Sequence, residues 1–258
     1  MNKRITIIDI GSHKLEELSI LLKPGKHQVY IFIKWSLYRI KQAILQLLKL
    51  EVGVIKKINI YFKLTYFYFL QTRKYNLQII SVEPNVNVAY EFVKRLRNKY
   101  TVHYLPMAVL GHDSKKDIEI KKLYFYDQSI SSSIYDRGRP INESKSTVCV
   151  GMKFSILWDH LKSENILKDE DPFILRMNSE GSELGVISDC AMKNLKPLCV
   201  IGSLGDVIKI HGVDADKKIM NLLFDMGAPY HYFKGEDPGT WYDMISIWKK
   251  YTDVYLVK

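Results

Sequence analysis

Cysteine is scarce in this chain. The three present, Cys149, Cys190 and Cys199, are spread without any CxxC pair. That spacing argues against a disulfide framework and against the ligand pattern of a structural zinc site, and it fits a reducing, cytoplasmic setting. No metal site is expected. No stretch reaches the roughly 18 uncharged apolar residues that a membrane-spanning helix needs. The apolar run after Met1-Asn2-Lys3-Arg4 is too short for a signal-peptide core, so the sequence reads as that of a soluble protein. Internal repeats and low-complexity tracts are also missing. So are an NPPY- or DPPY-like base-handling motif and a KH or zinc-knuckle pattern, which makes nucleic acid an unfavoured partner.

What is present is an ordinary globular composition. The 258 residues are 47% hydrophobic and 26% charged, enough for one large α/β domain with a full core. Lysine and arginine number 38 against 28 acidic residues, a formal charge of +10. Such a balance favours anionic surroundings, whether nucleic acid, lipid headgroups or a phosphorylated or acidic substrate. A lysine-rich solvated surface explains it equally well.

Residues 5–10 form a short β-branched run ending in Asp9-Ile10-Gly11-Ser12, which predicts a buried strand opening into a turn. A helix over 14–22 follows, stopped by Pro24-Gly25. The next such strand is 78–83, ended by Pro84-Asn85. Residues 27–75 between them exceed a minimal βαβ unit and read as an insertion in a single domain spanning 1–258, with a helix over 35–50 carrying Leu37, Ile40 and Ile44 on one face. Beyond residue 83 the pattern becomes regular. It predicts a helix at 88–99, a strand at 102–109, an edge strand at 118–125, a serine-rich loop at 129–133 and a helix from 154. A strand at 173–177, a helix at 182–190, a strand at 198–201, a helix at 216–226, a strand at 230–233, a helix at 241–250 and a strand at 254–257 complete it. Strands alternating with helices imply a mostly parallel sheet covered on both faces.

Ligands of open α/β sheets sit beyond the carboxyl ends of the strands. Chemistry is therefore sought at those ends. Gly11 after the first strand lets the backbone approach a ligand closely, and the amides of a following helix bind anionic groups. Glu83, ending the second, can accept hydrogen bonds from ribose hydroxyls. Met107 and Ala108 can line an adenine pocket, although plain core packing explains them too. In Arg176-Met177-Asn178-Ser179-Glu180-Gly181-Ser182-Glu183, polar groups cluster between a strand and a helix. Glu180 is a candidate general base or orienting group there, and a capped helix start is the plainer explanation.

Taken in order, these elements resemble the FkbM family of S-adenosylmethionine-dependent methyltransferases. Asp9-Ile10-Gly11-Ser12-His13 resembles its DxGAN loop, and Val82-Glu83-Pro84-Asn85 its EPN strand end. Ala108-Val109-Leu110-Gly111 is similar to its AV-glycine turn, Ser131-Ser132-Ser133 to its serine cluster, and residues 176–183 to its KIDxEGxE signature. The likeness runs from the start of the chain to about residue 190. It implies a Rossmann-like class I methyltransferase sheet that binds S-adenosyl-L-methionine through Asp9, Gly11, Ser12, His13, Glu83, Pro84, Met107 and Ala108. It further implies methyl transfer at an edge carrying Asn178 and Glu180. The reaction would be O-methylation, or N-methylation, of a glycan, small molecule or peptide. His13 and His211 are further candidates for the base. Leu15 stands where the family has a second glycine, and His13 and Asn178 replace an asparagine and an aspartate.

The insertion mixes the aromatics Trp35, Tyr38, Tyr61, Phe62, Tyr66, Phe67 and Tyr68 with Lys34, Arg39, Lys56, Lys57 and Lys63. It is expected to form a lid or homodimer contact first, and a peripheral contact with anionic membrane second. Two other functions remain open. One is a non-catalytic module binding a partner or membrane, favoured by the three departures. The other is RNA methylation, prompted by the charge.

Overall fold

The computed structural model describes residues 4–12, 76–97, 100–111, 114–125, 132–135, 146–179 and 181–232, with positions 37, 41, 44, 247, 250 and 251. The chain divides into two compact units, Met1–Lys14 with Leu77–Tyr232, and Leu15–Asn76 with Phe233–Lys258. Every element below belongs to the first. The expected helix at 14–22 and strand at 254–257 lie outside the described residues, as does most of the 27–75 insertion. Leu37, Lys41 and Ile44 of the 35–50 helix are helical, as are Ile247 and Lys250 of the 241–250 helix.

The main sheet has six strands: β1 (Ile5–Ile10), β2 (Leu77–Val82), β3 (Thr101–Leu105), β8 (Phe173–Met177), β9 (Cys199–Gly202) and β10 (Tyr230–Tyr232). Their order is β10-β9-β8-β1-β2-β3, and every neighbouring pair is parallel. The chain thus winds outward from β1 to β3, then restarts at β8 beside β1 and winds the other way. This is the strand order of a Rossmann-like sheet, and the reversal between β1 and β8 is its switch point.

Residues on both faces of the central strands are buried, which is why these runs are continuously apolar. Ile8, Ile10, Ile80, Val82, Leu175 and Met177 form one core with α2 (Phe154–Ser163), α3 (Glu183–Met192) and α5 (Ala215–Asp225), to which Val207 also belongs. Ile5, Ile7, Ile79 and Ile174 are buried outside that core, as are Ala89, Val93 and Leu96 of α1 (Val86–Leu96). Right-handed crossovers running in opposite directions from the switch point put α1 and α3 on opposite faces. The seven-residue α4 (Gly205–His211) follows β9.

A second sheet has the order β4-β7-β5-β6, from β4 (Ala108–Leu110), β5 (Ile118–Phe125), β6 (Ser132–Ser133) and β7 (Thr147–Lys153). It corrects three expectations. Residues 102–109 are not one strand: the chain leaves the main sheet at Pro106, which has no amide hydrogen to offer a ladder, and resumes as β4 in the other sheet. Residues 118–125 are not an edge strand, because β5 lies between β7 and β6. Ser132–Ser133 is a short strand rather than loop. β7 and α4 were not anticipated.

Candidate functional site at the strand ends

The registers of the main sheet align its carboxyl edge. Leu105 pairs with Val82, Val82 with Ile10, Ile10 with Met177, and Met177 with Gly202. The next residues along that edge are therefore Pro106, Glu83, Gly11, Asn178 and Ser203. Glu83 and Asn178 flank Gly11. Parallel strands lie about 4.8 Å apart, so these two are separated by about 10 Å. Three positions far apart in sequence share one edge at the switch point.

Two residues below this edge runs a largely buried polar rung. Tyr104, Ser81, Asp9 and Arg176 are register partners across β3, β2, β1 and β8. Each ties down a turn above it. The Tyr104 hydroxyl donates to the Glu83 carbonyl at 2.9 Å. Burial, then the nearby Glu83 charge, push this phenol well above its ordinary range, so it stays a neutral donor. Ser81 Oγ lies 2.7 Å from Ser12 Oγ. Arg176 Nη1 donates to Asp9 Oδ1 at 3.0 Å and to the Gly11 carbonyl at 2.8 Å. Asp9 and Arg176 are 0% and 2% exposed. A charge pair that deep persists because each partner neutralises the other.

Gly11 has φ +72, and a Cβ placed on it would sit 2.2 Å from the Asn178 carbonyl oxygen. The Asn178 amide donates to the Ile10 carbonyl at 3.0 Å, and the Gly11 amide to the Val82 carbonyl at 2.9 Å. The close approach that demands glycine is thus made by the β8 turn itself. Glu83 is 5% exposed and its Oε1 accepts the Asn85 amide at 2.9 Å.

The β8 turn is organised by Glu183, at the first position of α3. Its carboxylate accepts the Ser179 amide and the Gly181 amide, each at 2.8 Å, holding the loop against the helix start. Burial raises this carboxyl above the ordinary glutamate range, opposed by those amide bonds. The Ser182 hydroxyl is buried and has no hydrogen-bond partner among the described residues, whereas the Ser179 hydroxyl faces the Glu183 carboxyl and helps hold it down. The Gly181 carbonyl accepts His211 Nε2–H at 2.7 Å.

Of the residues expected to act here, Asp9, Gly11, Ser12, Glu83, Pro84 and Asn178 are brought to one edge. Asp9 and Ser12 point into the rung beneath it. His13 and Glu180 lie outside the described residues. Met107 is half-buried against the main core, whereas Ala108 has passed into the second sheet and packs with Leu123 and Cys149. His211 spends Nε2 on the Gly181 carbonyl, which leaves that nitrogen unable to take a proton. Arg176 and Glu183 were overlooked as individuals, though both stand inside the quoted signature. The available signal was charge: Asp9 and Arg176 each interrupt an apolar strand run, and two such interruptions at one sheet level make a pair.

Among the described residues, no group of His, Cys, Asp or Glu is arranged to hold a metal ion, and no helix is long and apolar enough to cross a membrane. Comparison of the chain with protein-family models, with curated proteins and with solved structures finds no match.

Proposed function

We propose that the chain is an S-adenosylmethionine-dependent methyltransferase whose cofactor lies along the carboxyl edge of β2, β1 and β8. The observation that carries this reading is the alignment of Glu83, Gly11 and Asn178 at the switch point of the parallel β3-β2-β1-β8-β9-β10 sheet. The donor set also fits such a ligand. A carboxylate at the end of β2 suits ribose hydroxyls, and the buried hydroxyl of Ser182, without a partner among the described residues, supplies a polar contact at the other end.

When bound, the cofactor supplies a methyl group on a sulfonium, open to in-line displacement. The chain's own contribution is position and proton handling. Glu83 holds the ribose, while Asp9, Arg176, Ser12 and Ser81 keep the first turn in shape from below. Asn178 and Glu180 orient the acceptor, with Glu180 taking its proton. The acceptor atom is an oxygen, or a nitrogen, of a glycan, small molecule or peptide.

Calorimetry with S-adenosylhomocysteine on the full chain tests the reading. Saturable binding is expected, and Glu83→Ala should weaken it about tenfold or more, the worth of a hydrogen bond to a charged group. Absence of binding would favour the non-catalytic module. That alternative draws its support from Asp9, which is committed to Arg176.

A further inference from the structure

A cleft of about 440 Å³ opens beside the second sheet, within the size range of small-molecule sites. Lys115, Lys116 and Lys121 line it together with Glu119, and Leu110 and Tyr135 supply apolar wall. The charges are unequally matched. Glu119 Oε2 pairs with Lys121 at 3.1 Å while its Oε1 takes the Ser114 hydroxyl, and these contacts hold the carboxyl below its ordinary range. Asp117, next in sequence, pairs with Lys153 instead. Lys115 and Lys116 form no ion pair among the described residues. The cleft therefore carries an excess of positive charge at its mouth, with a carboxylate that still has lone pairs to offer hydroxyl donors.

Tyr135 links this cleft to the strand-end site. Its ring lies against Gly181, so that a Cβ there would come 3.0 Å from Tyr135 Cδ2. It also meets the His211 ring edge-on at 5.7 Å, and His211 holds the Gly181 carbonyl. One aromatic side chain is wall to both the basic cleft and the β8 turn.

We infer that this cleft binds the methyl acceptor, and that the acceptor is a hydroxyl-rich small molecule bearing a phosphate, of the sugar-phosphate class. Two lysines unmatched by carboxylates suit a phosphate, which lysine binds as a point charge. Glu119 suits neighbouring hydroxyls. The Tyr135 ring and Leu110 suit the apolar face of a sugar ring. The acceptor role, as distinct from the binding, rests on the methyltransferase reading of the adjoining edge.

The test is calorimetry on the full chain with glucose 6-phosphate, glucose and inorganic phosphate as probes, and with S-adenosylhomocysteine alongside. Glucose 6-phosphate should bind more tightly than either glucose or inorganic phosphate. The exposed pair Lys115→Ala/Lys116→Ala should weaken it about tenfold or more, with an unchanged melting temperature and unchanged S-adenosylhomocysteine binding. Glu119→Gln should weaken glucose 6-phosphate while leaving inorganic phosphate as it was. No binding of glucose 6-phosphate, or equal binding by the double variant, overturns the site. Equal affinity for inorganic phosphate overturns the sugar assignment. If glucose 6-phosphate binds and S-adenosylhomocysteine does not, the cleft stands as a phosphosugar site and its acceptor role falls. If only S-adenosylhomocysteine binds, the methyltransferase reading stands and the cleft proposal falls.

Discussion

Replacing Arg176 by methionine tests the rung beneath the strand ends. The guanidinium nitrogen now serves two acceptors, Asp9 Oδ1 at 3.0 Å and the Gly11 carbonyl at 2.8 Å, in a place where both side chains are at most 3% exposed. Methionine fills most of the same volume and carries no charge. Breaking a buried ion pair by removing one partner costs about 3–5 kcal/mol, because the remaining charge stays in a low-dielectric place. The Gly11 carbonyl adds about 1 kcal/mol for its lost donor. Domains are stable by only about 5–15 kcal/mol, so Arg176→Met should consume about a quarter or more of the total. Urea unfolding followed by circular dichroism reads the loss as a lower midpoint at unchanged slope. Removing both charges, in Asp9→Leu/Arg176→Met, should recover most of it, since an apolar pair of similar volume is often as stable as a buried ion pair. A single variant within about 1 kcal/mol of the parent would refute the argument. So would a double variant no more stable than the single.

Four further outcomes follow from the same structure. Gly11→Ala must place a methyl 2.2 Å from the Asn178 carbonyl oxygen, so it should cost more than about 2 kcal/mol and abolish S-adenosylhomocysteine binding. Gly227→Ala, with a similar φ of +66 and open space around it, should cost only about 1 kcal/mol; equal losses in the two thermal melts would show that strain, and not the clash, decides. Glu183 has its folded-state value raised above 4.5 by burial, so the stability it contributes is fully present below that pH and lost as pH rises through the folded value. Glu183→Gln should flatten this slope in pH-dependent unfolding, and an unchanged slope would mean the group does not titrate as described. Tyr104→Phe removes the donor to the Glu83 carbonyl and should cost about 1 kcal/mol, with a few-fold weaker S-adenosylhomocysteine binding by calorimetry.

The central strands were legible because burial on both faces makes them β-branched runs bounded by turn residues, as at Ile5–Ile10 and Phe173–Met177. The same signal misled at residues 102–109, where apolar residues continue while the chain changes sheets. Pro106 removes one donor, but nothing local says that the next strand pairs with β7 instead of β2. β7 itself was hidden by its composition. Its inward positions, Cys149 and Gly151, are small, while Val148 and Val150 are exposed, so the usual alternation of apolar inside and polar outside is reversed. With seven residues, α4 is too short to display a helical period.

The site divides along a different line. Strand-end groups can be picked out from a sequence because chemistry gathers where strands stop, and Gly11, Glu83 and Asn178 were found on that ground. What holds them could not be found the same way, since the Asp9–Arg176 bond spans 167 positions and depends on register between two strands. Yet the rung constrains the turns more tightly than their own sequence does. Gly11 is fixed from below by Arg176 and from the side by the Asn178 backbone, so its glycine is required before any ligand arrives. A glycine at this position is therefore required by the fold itself, so within the aligned edge the chemical case for a cofactor leans on Glu83 and on the buried Ser182 hydroxyl, which has no partner among the described residues.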